Sequence, residues 1–575
     1  MNKRLPIGIS DFREIIEHDY YFVDKSLFIR DVIEGPKIAL ISRPRRFGKT
    51  LNLSMLRYFF SNHTDFSSLF EQLAIQQGGP LVQSKMGRHP VVFLSFKDIK
   101  AHNWKDAYTQ IRALIREVLT DEYRYLMDWE GLNPATRNQF RAIESDKKDG
   151  IHYASFLKTI SKTLHRFHQQ PAVILIDEYD TPVYSAYVHG YLDEMLAFMR
   201  DLLSGGLKDN SSLEKGVITG IMRVAKESIF SGLNNLDEFS VLTHRMSAHF
   251  GFLEKEVEAL VRHKQLPATA MEEIRNWYNG YVMGEHIIYN PWSILKYTDK
   301  PEDGFKPYWI NTSANLLLKR LFFTGKANIR IELEQLIRGE KLRKEIIENL
   351  ILKELDYKKQ AVWSLLLASG YLKAENMQQD PSTGVRTYDI SIPNKEVHYA
   401  YRQLIDSWLT EQSGSEEISY MLQALTQGET KRFAHFLKHF VSTVFSFHDT
   451  AGPEPERFYH AFLLGLLVWL EPRYHIRSNR ESGQGRFDIA LTPKDPRQKG
   501  IIIEIKSPYL DKGKSLEDAV EEAAQQMLRL HYAREMQQQG ITDIVQLAIA
   551  IQGKEVLVKE VPLTSPQEKP GPESS

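Results

Sequence analysis

Residues 37–60, KIALISRPRRFGKTLNLSMLRYFF, constrain the fold more than any other stretch of this chain. An apolar run from Ile38 to Ile41 enters a loop of Arg, Pro and Gly. Beyond it, apolar residues recur three and four apart, the helical period. Strand, loop and helix in this order are the setting of a phosphate-binding loop, because the start of a helix offers free N–H groups and the positive end of its dipole. The P-loop pattern is G-x-x-x-x-G-K-[ST]. Gly48, Lys49 and Thr50 supply its second half, and Arg43 replaces its first glycine, at a position where glycine supplies freedom in φ. Gly48 lets the backbone approach a phosphate. Lys49 would sit against the β and γ oxygens of a nucleotide, and the Thr50 hydroxyl would go to Mg2+. Arg46, in the same loop, is counted with the nucleotide-binding residues.

Residues 172–178, AVILIDE, are an apolar strand ending in two carboxylates. This is the Walker B pattern: Asp177 holds Mg2+ through water, and Glu178 is placed to polarise an attacking water as general base. HPVVFLSF gives one strand between the two motifs, at Val91 to Phe96, and KGVITGIMR gives one after them, at Gly216 to Ile221. A weaker run follows at Phe239 to Thr243. On a strand beyond Walker B, Thr219 is the candidate polar sensor, and Arg223 and Lys226 stand where a cation could sense the γ-phosphate. Long helical patterns, such as Trp104 to Tyr125 and Tyr153 to His168, separate these runs. Short apolar strands alternating with helices imply an α/β domain with a mainly parallel sheet covered on both faces. Its expected extent is 1–290.

The stretch 291–450 reads as mostly helical. Within it, AVWSLLLASGYLKAEN and TYDISIPN read as a helix and then a hairpin. With a helix after Pro393 this is an arrangement of winged-helix type. GPEPER at 452–457 reads as a hinge. The last domain, 451–562, shows a helix over 458–470, a strand pair over 486–507, a helix over 515–536 and a strand over 543–551. The terminal 563–575, rich in Pro, Ser and Glu, reads as disordered.

Composition removes several classes. At about 150 residues per domain, 575 residues suggest three or four domains. Lys plus Arg (73) balances Asp plus Glu (74), so bulk positive charge does not hold this chain on nucleic acid. Without cysteine there are no disulfides, thiolate zinc sites, iron–sulfur clusters or cysteine nucleophiles. Any metal must take oxygen or imidazole ligands. MNKRLPIGISDF lacks the apolar core of a signal peptide. The longest apolar run, Ala461 to Leu470, spans about 15 Å as a helix, half of a hydrocarbon core. The expectation is a cytoplasmic protein without a membrane segment.

Near the C-terminus, RFDIALTPKDPRQKGIIIEIKS places Asp488 in one β-type run and Glu504 and Lys506 in the next. Residues at i and i+2 of a strand share a face. Glu504 and Lys506 therefore project together, and an antiparallel neighbour brings Asp488 alongside. Carboxylates sharing a face repel unless compensated, and Mg2+ or Mn2+ bound by Asp488 and Glu504 compensates them. Lys506 could then orient a water and stabilise the charge that develops at a phosphoryl group. This is the D-x(n)-E-x-K pattern of restriction-endonuclease-like nucleases, an α/β fold. Glu481, Glu456, Gln525 and Gln526 lie where further members of such a site would stand.

The combination resembles the bacterial family that joins an AAA-ATPase-like domain to a C-terminal PD-(D/E)XK nuclease domain. LPIGISDF, YYFVDKSLFI, RPRRFGKT, IDEYDTPV, GLNNLDEFS, WYNGYVMG, YNPWSI and WINTSAN carry the likeness, which makes Arg43 a family-like variant. The resemblance implies Lys49, Thr50 and Asp177 as nucleotide and magnesium contacts and Asp488, Glu504 and Lys506 as the nuclease triad, with Glu481 and Gln526 less secure. It implies ATP and a nucleic acid, DNA or RNA, as partners, and leaves open whether the chain forms a homo-oligomer. Trp277, Tyr278, Tyr281, Tyr289 and Trp292 read as packing residues, with base stacking as the alternative. A nucleotide-gated nuclease is the leading function. Its rival is an ATP-switched binding module with an inactive nuclease fold. A motor or helicase is weaker, since no helicase motifs accompany the Walker elements.

Overall fold

The computed structural model describes residues 3–146, 152–224, 229, 236–309, 327–337, 339–356, 358–401, 403, 415–444, 459–460, 463–464, 466–470, 472–482, 485–508, 514–530 and 533–563. Lys226, Glu456, the hinge at 452–457 and the tail from 564 lie outside the described residues. The chain divides into two compact units, Met1–Thr312 with Lys341–His398, and Ser313–Glu340 with Tyr399–Ser575. No described helix is long and apolar enough to cross a membrane.

In the first unit, β1 (Ile38–Ser42), β2 (Val91–Ser95), β3 (Ala172–Asp177), β4 (Leu213–Gly220) and β5 (Leu236–Phe239) form a sheet in the order β2–β3–β4–β1–β5. Every pairing is parallel. β1 and β3 are buried along their whole length, as strands covered on both faces must be. Helices Lys49–Phe60, Trp104–Glu122, Phe156–His168 and Leu192–Leu207 pack against the sheet. The order matters for function. β4 lies between β1 and β3, with Thr219 level with Ile41 and Ile218 level with Ile176. The loop after β1 and the ends of β4 and β3 therefore lie side by side. The weak run expected at Phe239 to Thr243 lies earlier in the structure, because Ser240 and Thr243 close a turn: the Thr243 amide donates to the Ser240 carbonyl at 3.1 Å.

The middle stretch carries the expected helix, Lys359–Ala368, then a hairpin of Lys373–Gln379 and Arg386–Ser391, and residues 395–401 are helical. A third strand, Leu342–Glu345, joins the hairpin. The helix, the hairpin and the third strand belong to the first unit, and the boundary between the units falls within 395–401, after His398.

In the second unit, β6 (Tyr474–Ser482), β7 (Gly485–Pro493), β8 (Gly500–Lys506), β9 (Ile544–Gln552) and β10 (Glu555–Val561) form a mixed sheet in chain order. Only β8 and β9 pair in parallel, and helix Leu516–Leu530 lies between them in the chain, the crossover that a parallel pair needs. The strands sort their side chains by parity. Ile501, Ile503 and Ile505 join Leu547, Ile549 and Ile551 in a core shared with helices Ser415–Gln427 and Thr430–Val444. Ile502, Ala548 and Ala550 face Ala519, Ala523 and Met527 of the crossover helix. Glu504 and Lys506 share the parity of Ile502.

Ile503 is fully buried at the centre of the larger core. Ile503→Ala is expected to destabilise the second unit by about 2–5 kcal/mol. Calorimetry should show one thermal transition moved down and that of the first unit unmoved.

Candidate nucleotide and metal sites

The loop after β1 ends at Gly48, whose backbone is left-handed at φ +87°, and helix Lys49–Phe60 starts there without a side-chain cap. Uncapped N–H groups at a helix start suit an anion. A Cβ on Gly48 would meet nothing within 4 Å, so the space above the loop is open. The Lys49 ammonium donates to the carbonyls of Arg43 and Pro44, both at 3.0 Å, which folds the side chain over the loop. Burial pushes its pKa down, against the pull of Glu178, Asp180 and Asp177. These features fit the phosphates of a nucleotide.

Arg43 does not need the freedom in φ that its glycine counterpart would supply. The positive φ angles of the loop fall at Arg46 (68°) and Gly48. Arg43 is instead a buried bolt. Its guanidinium donates to the carbonyls of Ser42 at 2.8 Å and Phe239 at 2.7 Å and lies over the Phe250 ring. Burial lowers its pKa to about 9.

Asp177 is fully buried at the end of β3. Its two oxygens accept from two hydroxyls, Thr50 at 2.7 Å and Thr219 at 2.6 Å. Burial raises its pKa and these two bonds oppose the rise. Glu178 follows in a left-handed conformation, φ 49°, and accepts from the Thr181 hydroxyl at 3.2 Å. Sequence reasoning passed over two neighbours that hold this corner. Asp180 accepts from the amide of Ile221 at 2.7 Å, and the Tyr179 hydroxyl donates to the Met222 carbonyl at 2.7 Å. A Cβ at Gly220 would stand 2.7 Å from the Tyr179 ring and 2.9 Å from Asp180, so only glycine permits this clamp. The signal was present as the third acid of IDEYD.

Arg223 lies on the short strand Arg223–Val224 and pairs with Glu238 at 3.4 Å. Glu238 is pushed up to about 7 by burial in spite of that partner. Arg46 stacks on Trp292 at 4.1 Å. Tyr278, Tyr281 and Tyr289 are buried within the first unit, where the Tyr278 hydroxyl donates to the Lys306 carbonyl at 3.0 Å and Tyr281 meets Phe47 edge-on.

In the second unit, Asp488 on β7 and Glu504 on β8 sit on adjacent antiparallel strands. One Asp488 oxygen accepts from the amide of Ile505 at 2.8 Å. The Lys506 ammonium donates to Glu504 Oε1 at 3.1 Å, and Gln526 of the crossover helix donates to the same oxygen. The other Glu504 oxygen, Oε2, is buried and has no hydrogen-bond partner among the described residues. Burial first, and then Asp488, lift Glu504 to about 8; Asp488 is also raised, by burial. Ala548 and Ala550 stand level with Glu504 and Lys506 on β9, so no large side chain crowds that flank. The Asp488 carbonyl lies 3.0 Å from His460 Nε2, a neighbour the sequence did not suggest. The Glu481 side chain lies outside the described residues. Among the described residues no group of three or more His, Asp or Glu is placed to hold a metal, so the C-terminal site offers two carboxylates. A buried Glu504 with an orphaned oxygen and a part-buried Asp488 fit a hard divalent cation.

Two families match separate parts of the chain. The predicted AAA-ATPase family matches residues 6–230, and the PD-(D/E)XK nuclease superfamily matches residues 454–561. An uncharacterized protein in the vnfD 5′ region of Azotobacter chroococcum mcd 1 is 32% identical over 329 residues, 56% of this chain. The match spans 57% of that relative's own length.

The raised Glu504 pKa gives a pH dependence of known sign. A carboxyl lifted to about 8 on folding holds its proton more tightly than the unfolded chain does. Stability is therefore lost as pH rises from the ordinary carboxyl range through about 8. Glu504→Gln removes this loss. Without metal, the variant's melting temperature should rise relative to wild type between pH 5 and pH 8.5, measured in a chelating buffer.

Proposed function

We propose that this chain, which carries an AAA-ATPase-like domain and a C-terminal PD-(D/E)XK nuclease superfamily domain, binds ATP with Mg2+ and hydrolyses nucleic-acid phosphodiester bonds in a metal-dependent site. The orphaned, buried Glu504 Oε2 beside Asp488 carries the nuclease reading. A carboxylate so desolvated is costly unless a proton or a cation neutralises it. Asp488 and Glu504 would hold Mg2+ or Mn2+. A cation there supplies Lewis-acid charge to a phosphodiester oxygen and lowers the pKa of a bound water. Lys506, anchored on Glu504 Oε1, places a positive charge where a phosphoryl group gains negative charge in the transition state. Gln526 fixes the Glu504 rotamer from the crossover helix.

In the first unit, Gly48, Lys49 and the helix start take the phosphates, with Arg46 exposed on the same loop. Thr50 and Asp177 would hold Mg2+. The Thr219 hydroxyl, bonded to Asp177, senses whether that carboxylate is engaged. Glu178 is the base that polarises water. Arg223 would reach the γ-phosphate only by leaving Glu238. An ATP-dependent activity of this kind suits the cytoplasm.

Cleavage should require Mg2+ or Mn2+ and vanish in Asp488→Ala. Lys506→Ala should keep metal affinity and lose about 10²–10³ in rate, since its part belongs to the transition state. The assay is single-turnover cleavage of single- and double-stranded DNA and RNA. A chain that cuts none of these with either metal is the ATP-switched binding module instead. Lys49→Ala should abolish ATP binding in calorimetry, and Glu178→Gln should bind ATP but hydrolyse it more slowly.

A further inference from the structure

The phosphate loop is gripped from outside by residues that follow it by hundreds of positions. The Trp309 indole N–H donates to the Arg45 carbonyl at 3.1 Å. Arg46 lies on Trp292, whose own indole N–H donates to the Tyr308 carbonyl at 3.1 Å. Phe47 meets Tyr281 edge-on, and its carbonyl accepts from the Gly251 amide at 3.1 Å. Gly370 is left-handed at φ +83°, and a Cβ there would press to 3.1 Å on Pro44 and 3.4 Å on Trp309. Pro44, Arg45, Arg46 and Phe47, the residues between Arg43 and Gly48, each have such a neighbour.

Trp309 is itself held from behind. Its backbone amide donates to Glu396 Oε1 at 2.8 Å, and the Ser293 hydroxyl lies 2.9 Å from both Glu396 oxygens. Glu396 is fully buried and Trp309 nearly so. Burial lifts the carboxyl to about 7, against the bonds from Trp309, Ser293 and Tyr308. A buried acid tied to three backbone and side-chain donors fixes the relative positions of all the segments that reach it.

The position of this joint in the chain gives it a consequence. The backbone passes from the first unit to the second after residue 312 and again after residue 398. Trp309 and Glu396 stand three and two residues before those crossings. We infer that the Arg45–Trp309–Glu396 chain of hydrogen bonds transmits the nucleotide state of the phosphate loop to the two segments leading into the nuclease-bearing unit. The inference rests on the nucleotide-binding reading above. It assigns Trp309 and Glu396 as positioning residues: neither touches the nucleotide, and both act through the Arg45 carbonyl. A phosphate drawn onto the loop amides reorients the peptides of Arg45 and Arg46, and the indole follows because its N–H has that carbonyl as acceptor.

Hydrogen–deuterium exchange on the full chain tests this, with and without saturating ATP and Mg2+. In wild type, ATP should slow exchange in peptide 393–401 at least threefold. Trp309→Phe keeps a ring in the same place and deletes the indole N–H. It should still bind ATP in calorimetry, and the effect of ATP on 393–401 should fall below 1.5-fold. Glu396→Gln, which keeps shape and alters the acceptors, should at least halve the effect, and it answers the question if Trp309→Phe does not fold. A wild type that fails to bind ATP overturns the nucleotide reading and this inference with it. A wild type that binds ATP with exchange at 393–401 unchanged, or folded variants that bind ATP and keep the full effect, overturns the joint alone.

Discussion

The first unit is organised around one buried carboxylate. Asp177 has lost all contact with water, and its oxygens are taken by Thr50 from the helix after the phosphate loop and Thr219 from the sensor strand. Two hydroxyls on one desolvated acid require β1, β3 and β4 to end at one level, and the β3–β4–β1 order delivers that. The corner is then closed by Asp180 and Tyr179, which bind the chain just past Thr219, and by Gly220, which leaves them room. Lys49 adds a buried cation to the same corner. The charges are pre-arranged, so under the proposed function an arriving Mg2+ or phosphate would exchange existing partners and would not have to build a site.

The second unit solves the same electrostatic problem differently. Glu504 is buried and Asp488 part-buried, yet Glu504 keeps one oxygen without a hydrogen-bond partner among the described residues. Thr hydroxyls offset the burial of Asp177, whereas burial and the neighbouring Asp488 push Glu504 up to about 8 and favour its protonated form. Under the proposed function, such a site would trade stability for readiness to take a cation. Lys506 and Gln526 both donate to Oε1, and Oε2 has no hydrogen-bond partner among the described residues.

Much of this was legible in the sequence, for physical reasons. β1, β3 and β8 are buried strands of Ile, Leu, Val and Ala, which read as unbroken apolar runs, and the Walker and E-x-K residues sit at their ends. The i, i+2 rule placed Glu504 and Lys506 on one face, and β8 pairing with β7 brought in Asp488. The edge strands of the second sheet were not legible. YHIRSNRES in β6 is mostly polar because one side of it has no partner strand, and β10 alternates Glu and Lys with Val and Leu across a single half-buried face. The part Arg43 plays in the structure was hidden for a different reason. The motif assigns glycine by position, but here the left-handed residues of the loop are Arg46 and Gly48, and the first site is free to carry a buried guanidinium. Trp309 stood in WINTSAN and Glu396 in no motif, and the part each plays depends on contacts with residues up to 264 positions away.

The central claim is that the orphaned Glu504 oxygen and Asp488 together take a divalent cation. Crystals of the full chain soaked in Mn2+ and measured at the manganese absorption edge test it directly. The account predicts an anomalous peak bonded to Glu504 Oε2 and an Asp488 oxygen, absent in crystals of Asp488→Ala. A fully soaked crystal with no peak between those carboxylates, or with manganese bound only elsewhere, would contradict it.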